Sequence, residues 1–146
     1  MADLEALTQA ALDEFNKASK NGNYDALMEY LCPKNVVVRR VDDATPIQGS
    51  GKDIVKKFND EQVNKWPRLD YKGRIQRSPL NAKLVIVSGQ YFDTDKAEGI
   101  PVICIYHFDK DDKIDEVFAT PLNTKKFGNL HLPHLIRIIE LAVSRG

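Results

Sequence analysis

Few side chains in this sequence could do chemistry, and the first that could are two adjacent arginines. Arg39 and Arg40 follow Val36, Val37 and Val38, so on an extended strand they point to opposite faces. An arginine turned inward offers a rigid five-donor fork to a carboxylate or phosphate. Turned outward, it makes an ion pair at the surface or between subunits. Tyr106 is the second candidate, because Cys104 and Phe108 at alternate positions share its strand face. With Phe15, Phe58, Trp66 and Tyr91 it forms either an aromatic-walled pocket with a phenolic donor or a filled core. Only the free volume among these residues separates the two. His107 alternates with Tyr106 and falls on the outer face, away from such a pocket.

Other apparent motifs fail on spacing. His131 and His134 stand three apart with Pro133 between them and no third ligand nearby, whereas zinc takes three or four protein ligands; no metal is expected. Gly49-Ser50-Gly51-Lys52 resembles the end of a phosphate-binding loop, but the required first glycine is Pro46 and the required Ser/Thr is Asp53. The run from Asp109 to Lys113 resembles a calcium loop, yet the fifth ligand position is Lys113, the sixth is Ile114 and the twelfth is Thr120. It reads as a hairpin turn. No cofactor-binding motif stands out.

The elements that would position these residues follow from periodicity. Leu4, Leu7, Ala11, Phe15 and Ala18 predict a helix over 4–20, capped by Asp3 and stopped at Asn21-Gly22. Tyr24, Leu27, Met28 and Leu31 predict a short second helix, capped by Asn23 and ended by Pro33. Residues 36–41 read as a strand and 42–46 as a turn. Ser50 and Asp53 form a capping box that opens a third helix reaching about residue 64. The period then changes, and 70–77, 82–92, 99–109 and 113–120 predict strands joined by short turns, an antiparallel meander. Leu84 to Val87 and Val102 to Ile105 are apolar on both faces; helices can cover one, and a partner subunit is the simplest cover for the other. Leu132, Leu135, Ile136, Ile139 and Val143 predict a C-terminal helix, docked over the pocket mouth or on a neighbouring subunit.

Composition sets the class. The 146 residues fit one domain, expected at 1–122 with a helical extension at 123–146. Twenty-one basic and 21 acidic residues cancel, without the basic excess that phosphate neutralisation favours in a nucleic-acid binder. Two well-separated cysteines do not make a disulfide scaffold. No apolar run reaches the roughly 20 residues of a membrane span, and the N-terminus lacks a leader pattern, so a cytoplasmic protein with no membrane partner is expected.

The order helix, short helix, strand, helix and meander resembles the nuclear transport factor 2-like superfamily, which includes ketosteroid isomerases and SnoaL-like cyclases. The resemblance is carried by Ala11–Ala18 followed by Asn21–Leu27, by Gly51–Phe58, and by Ile103–Phe108 with Lys113-Ile114. It covers residues 4–120 and implies an α+β, cystatin-like cone: a curved antiparallel meander sheet packed on three N-terminal helices, plus the C-terminal helix. Carried over without gaps, the isomerase's aspartate base falls at Arg39, its helical tyrosine at Phe15 and its second oxyanion donor at Tyr106. Without a base at that position, proton shuttling on a steroid is not expected. The expectation is a homodimeric binding protein for a small apolar or weakly anionic molecule, with Phe15, Arg39, Phe58, Trp66, Tyr91 and Tyr106 as ligand-binding residues. An enzyme of the lyase, isomerase or cyclase type would need Asp115, Asp42 or Asp43 as its base. A protein-interaction module would use the sheet or the C-terminal helix.

Overall fold

In the computed structural model, which describes residues 3–40, 45–61, 74–79, 81–91 and 100–121, the chain opens with helix α1, Leu4–Asn21. Asp3 caps it by accepting the Ala6 N–H at 3.1 Å. Gly22 ends it at φ 76°, donating its N–H to the Ala18 carbonyl at 2.7 Å, in a left-handed conformation that a Cβ would strain. The expected second helix is a 3-10 helix over Asp25–Tyr30. It is tied to the third helix rather than propagated: Asn59 accepts the Tyr24 N–H at 2.7 Å and donates to Asp25 at 2.9 Å. Helix α2, Gly51–Glu61, opens on the expected capping box, with Ser50 Oγ accepting from Asp53 N and Asp53 Oδ2 accepting from Ser50 N.

Six strands follow the order β2-β1-β6-β5-β4-β3: β1 Val36–Arg40, β2 Ile47–Gly49, β3 Arg74–Arg77, β4 Leu84–Tyr91, β5 Ile100–Phe108 and β6 Ile114–Pro121. The last four form the antiparallel meander that the turn spacing predicts. Two features differ from expectation. β1 pairs in parallel with β6, and the short β2, not foreseen in the sequence, pairs antiparallel with β1 at the sheet edge. Three residues between Pro46 and the Ser50 cap give too short a run for periodicity to mark.

The sheet separates two apolar layers. Val36, Val38, Val85 and Phe108 face α1, the 3-10 helix and α2, together with Tyr24, Ile54 and Phe58. Val87, Val102 and Cys104 extend this layer against Leu12. On the outer face Leu84, Ile105 and Phe118 form a separate cluster, at 1%, 7% and 0% exposure. They are buried within the single chain, so a partner subunit is not needed to cover them. The expected turn at 42–44, the helix over 132–143 with its 123–146 extension, and Trp66 lie outside the described residues.

The pairing of β5 with β6 is irregular at one point. His107 pairs with Glu116 and Phe108 with Ile114, so Asp115 is an extra residue in β6, a β-bulge. The adjoining turn is held by Asp109, whose Oδ1 accepts the N–H groups of Asp111 and Lys113 at 2.8 and 3.0 Å.

Candidate functional site

Between the sheet and the helices lies a cavity of about 80 Å³. α1 contributes Ala11, Leu12 and Phe15, the 3-10 helix Leu27 and Tyr30, and α2 Ile54 and Phe58. The sheet closes it with Val38, Cys104, Tyr106, Val117 and Ala119. Each sheet residue faces inward by alternation, and the α1 residues share the helix face also occupied by Leu4 and Ala18. Phe15 and Phe58 meet edge to face, with centroids 6.1 Å apart, and both pack the same way on Tyr24 at 5.5 and 5.8 Å. This triad fixes one wall of the cavity.

The cavity's polar chemistry is sparse. Among the described lining residues none is charged, and the polar atoms are the Tyr30 and Tyr106 hydroxyls and the Cys104 thiol. Burial pushes the Tyr106 phenol well above its ordinary value, and the neighbouring Cys104 sulfur adds to the shift through charge repulsion and a hydrogen bond. The phenol therefore stays protonated at neutral pH and can donate a hydrogen bond. With no carboxylate or imidazole among those residues, this stretch of wall carries no group suited to accept a proton.

Of the sequence-predicted site residues, Phe15, Phe58 and Tyr106 come together here. Trp66 and the Tyr91 side chain lie outside the described residues. Arg39 is corrected: it faces away from the cavity. Val36 and Val38 point inward, so alternation sends Arg39 to the outer face, where its Nε donates to Glu116 Oε2 at 2.9 Å. Arg39 does not stand where an isomerase-type base would meet a ligand, and a carboxylate anchor at that position is lost with it. Asp115, the expected alternative base, is also on the outer face, with Oδ1 2.6 Å from His107 Nδ1. Asp42 and Asp43 lie outside the described residues.

The outer face thus holds a polar cluster that the sequence did not single out. His107, Asp115, Glu116 and Arg39 run across β5, β6 and β1. Beside them opens a groove of about 590 Å³ lined by Cys32, Lys34, Asn35, Arg39, Asp115 and Glu116. Among the described residues no group of three or more His, Cys, Asp or Glu side chains is arranged to hold a metal ion. No helix among them is long and apolar enough to cross a membrane.

No family model matches the sequence, and no curated protein does. Solved structures do. A domain of unknown function with a cystatin-like fold from Nostoc punctiforme matches with a TM-score of 0.61 at 13% identity, over 94% of this chain and 93% of that one. An NTF2-like protein from Anabaena variabilis matches at 0.59 and 13% identity, over 83% and 90%. A steroid delta-isomerase from Pseudomonas aeruginosa matches at 0.54 and 15% identity, over 95% and 96%. The likeness is one of fold: the chain has the nuclear transport factor 2-like, cystatin-like α+β architecture that its motifs suggest. Fold alone carries no activity across such distances.

Proposed function

We propose that this protein binds a small, uncharged, largely apolar molecule in the cavity between sheet and helices, with Tyr106 as the hydrogen-bond donor that orients it. The observation that supports this reading is the lining itself, apolar apart from two phenols and a thiol among its described residues. A charged ligand would lose its hydration there without a counter-charge from that wall, a cost of several kcal/mol. The weakly anionic alternative rested on Arg39, which faces outward.

Size narrows the class further. The cavity's 80 Å³ is below the roughly 150 Å³ of an engineered apolar cavity that takes up benzene, and far below the ~300–1,000 Å³ of a drug-sized ligand pocket. A ligand smaller than benzene fits the walls as they stand, and anything larger must move Phe15 or Tyr106. Acetone and acetate, of near-equal size and opposite in charge character, test both points. Acetone should shift the methyl resonances of Ala11, Val117 and Ala119 saturably, while acetate leaves them unmoved. Equal response to the two, or no saturable response to acetone, would sink the proposal.

A further inference from the structure

The outer-face cluster has no part in that cavity, and its geometry is unusual for a structural ion pair. In a regular strand consecutive residues point to opposite faces. The bulge at Asp115 breaks the alternation, so that Asp115 and Glu116 both line the outer groove. Bulges are over-represented where a side chain must be re-aimed, and here two carboxylates are aimed at two different cations. Asp115 takes Nδ1 of His107 from β5, and Glu116 takes Nε of Arg39 from β1. Each carboxylate therefore fixes the orientation of one cationic side chain, and both side chains are drawn in over β6.

What the two carboxylates leave unused points to a ligand. His107 Nε2 and the two terminal Nη groups of Arg39 have no hydrogen-bond partner among the described residues. Neither side chain is sealed from solvent: His107 and Arg39 each keep 19% of their side-chain surface exposed, against 7% for Glu116. Lys34 lines the same groove. Once His107 carries its second proton, three cations face two carboxylates, and each carboxylate already spends an oxygen on the cation it holds. A planar fork and an imidazolium N–H, both pre-oriented, are a donor set for an oxyanion.

We propose that this groove is a second binding site, taking a small oxyanion, a carboxylate or a phosphate, between His107 Nε2 and the Nη groups of Arg39. Asp115 and Glu116 are its positioning residues. Binding there draws a proton onto His107, because the anion favours the doubly protonated ring. The site is separate from the cavity, so its ligand leaves the inward methyl groups of Ala11 and Ala119 undisturbed.

Inorganic phosphate and acetate, titrated in parallel into the full chain, test it by two readouts, calorimetric affinity and the His107 imidazole resonances. Saturable shifts of the His107 ring are expected with at least one of the two anions. Affinity should fall about tenfold or more in Arg39→Lys, which keeps the charge beside Glu116 but loses the fork, and in His107→Gln. Preference for phosphate or for acetate names the ligand class, and either supports the site. A His107 ring that does not respond saturably to either anion overturns the proposal, as does undiminished affinity in the variants. Should Arg39→Lys fail to fold, the half-buried His107→Gln decides alone. Failure here leaves the acetone response of the cavity untouched, so the two sites are judged separately.

Discussion

Replacing Phe58 by alanine removes the side chain that joins the core to the cavity wall. Phe58 is 5% exposed, meets Phe15 and Tyr24 edge to face at 6.1 and 5.8 Å, and lines the cavity. Truncating a buried phenylalanine costs about 3–5 kcal/mol in lost transfer energy and cavity formation. Two ring pairs at roughly 0.5–1.5 kcal/mol each account for a substantial share of that. For a chain of this length the melting temperature should fall by ~6–20 °C, and the variant stays folded only if the parent lies within the usual ~5–15 kcal/mol. The vacated volume adjoins the existing 80 Å³, so the variant should hold an apolar ring that the parent cannot. Urea unfolding with and without benzene measures both effects. Benzene at a hundredfold over its dissociation constant should return about 2.7 kcal/mol to the variant and much less to the parent. A loss under about 1 kcal/mol, or a variant midpoint indifferent to benzene, would mean that Phe58 neither packs nor bounds the cavity as argued.

Three further outcomes follow from single sites. Tyr106→Phe should weaken acetone binding by roughly two- to tenfold, the worth of one neutral hydrogen bond, with unfolding midpoints showing the fold intact; unchanged acetone affinity removes Tyr106 from the site. At Asp109, burial raises the carboxyl, but hydrogen bonds from the Lys113 and Asp111 N–H groups and the Cys32 thiol, with Lys83 nearby, outweigh it and leave the group below its usual value. Its contribution to stability is therefore present above the unfolded carboxyl value near ~3.9 and is lost as pH falls through the lower folded value. Asp109→Asn should be less stable than the parent at pH 7, with the gap closing in acid; denaturant midpoints against pH check it, and a pH-independent gap contradicts it. Gly51→Ala would place a Cβ 3.0 Å from the Cys32 carbonyl and 3.2 Å from Leu31 Cβ. Crowding of roughly 1–3 kcal/mol should exceed the helix-propensity gain of ~0.5–1 kcal/mol, so a stabilised variant would show that the 31–32 backbone yields freely.

Local chemistry makes much of this fold legible. Asp3, Gly22 and the Ser50–Asp53 pair mark helix ends with side-chain and backbone bonds that form within a few residues, so their sequence signal is complete where it stands. Alternation through Val102, Cys104, Tyr106 and Phe108 gives the inward face of β5 for the same reason. Arg39 can be placed by that logic too, since Val36 and Val38 on either side of Val37 are the natural inward pair; the ungapped family register points the other way. The short second helix is legible as a helical turn, but its 3-10 form depends on Asn59, 34 residues away from Asp25. β2 exists because β1 offers it an edge. The His107–Asp115 pair is out of reach, because it depends on a bulge, and a bulge is a property of two strands in register and not of either alone.

That bulge also decides what kind of cavity the protein has. Ile114 faces inward, with Phe108 and Val36. Strict alternation from Ile114 would send Glu116 and Phe118 inward too, and Val117 and Ala119 outward. The cavity would then carry a carboxylate able to accept a proton, and the outer face would lose Phe118 from its cluster with Leu84 and Ile105. With Asp115 inserted, the order reverses from Glu116 onward: Val117 and Ala119 line the cavity, while Glu116 meets Arg39 outside. A one-residue slip moves a strand's whole side-chain set to the other face, and here the slip is built in. The apolar wall proposed to hold a neutral ligand and the paired charges proposed to hold an anion are two consequences of one extra residue in β6. The acetone and phosphate titrations therefore probe opposite sides of a single register.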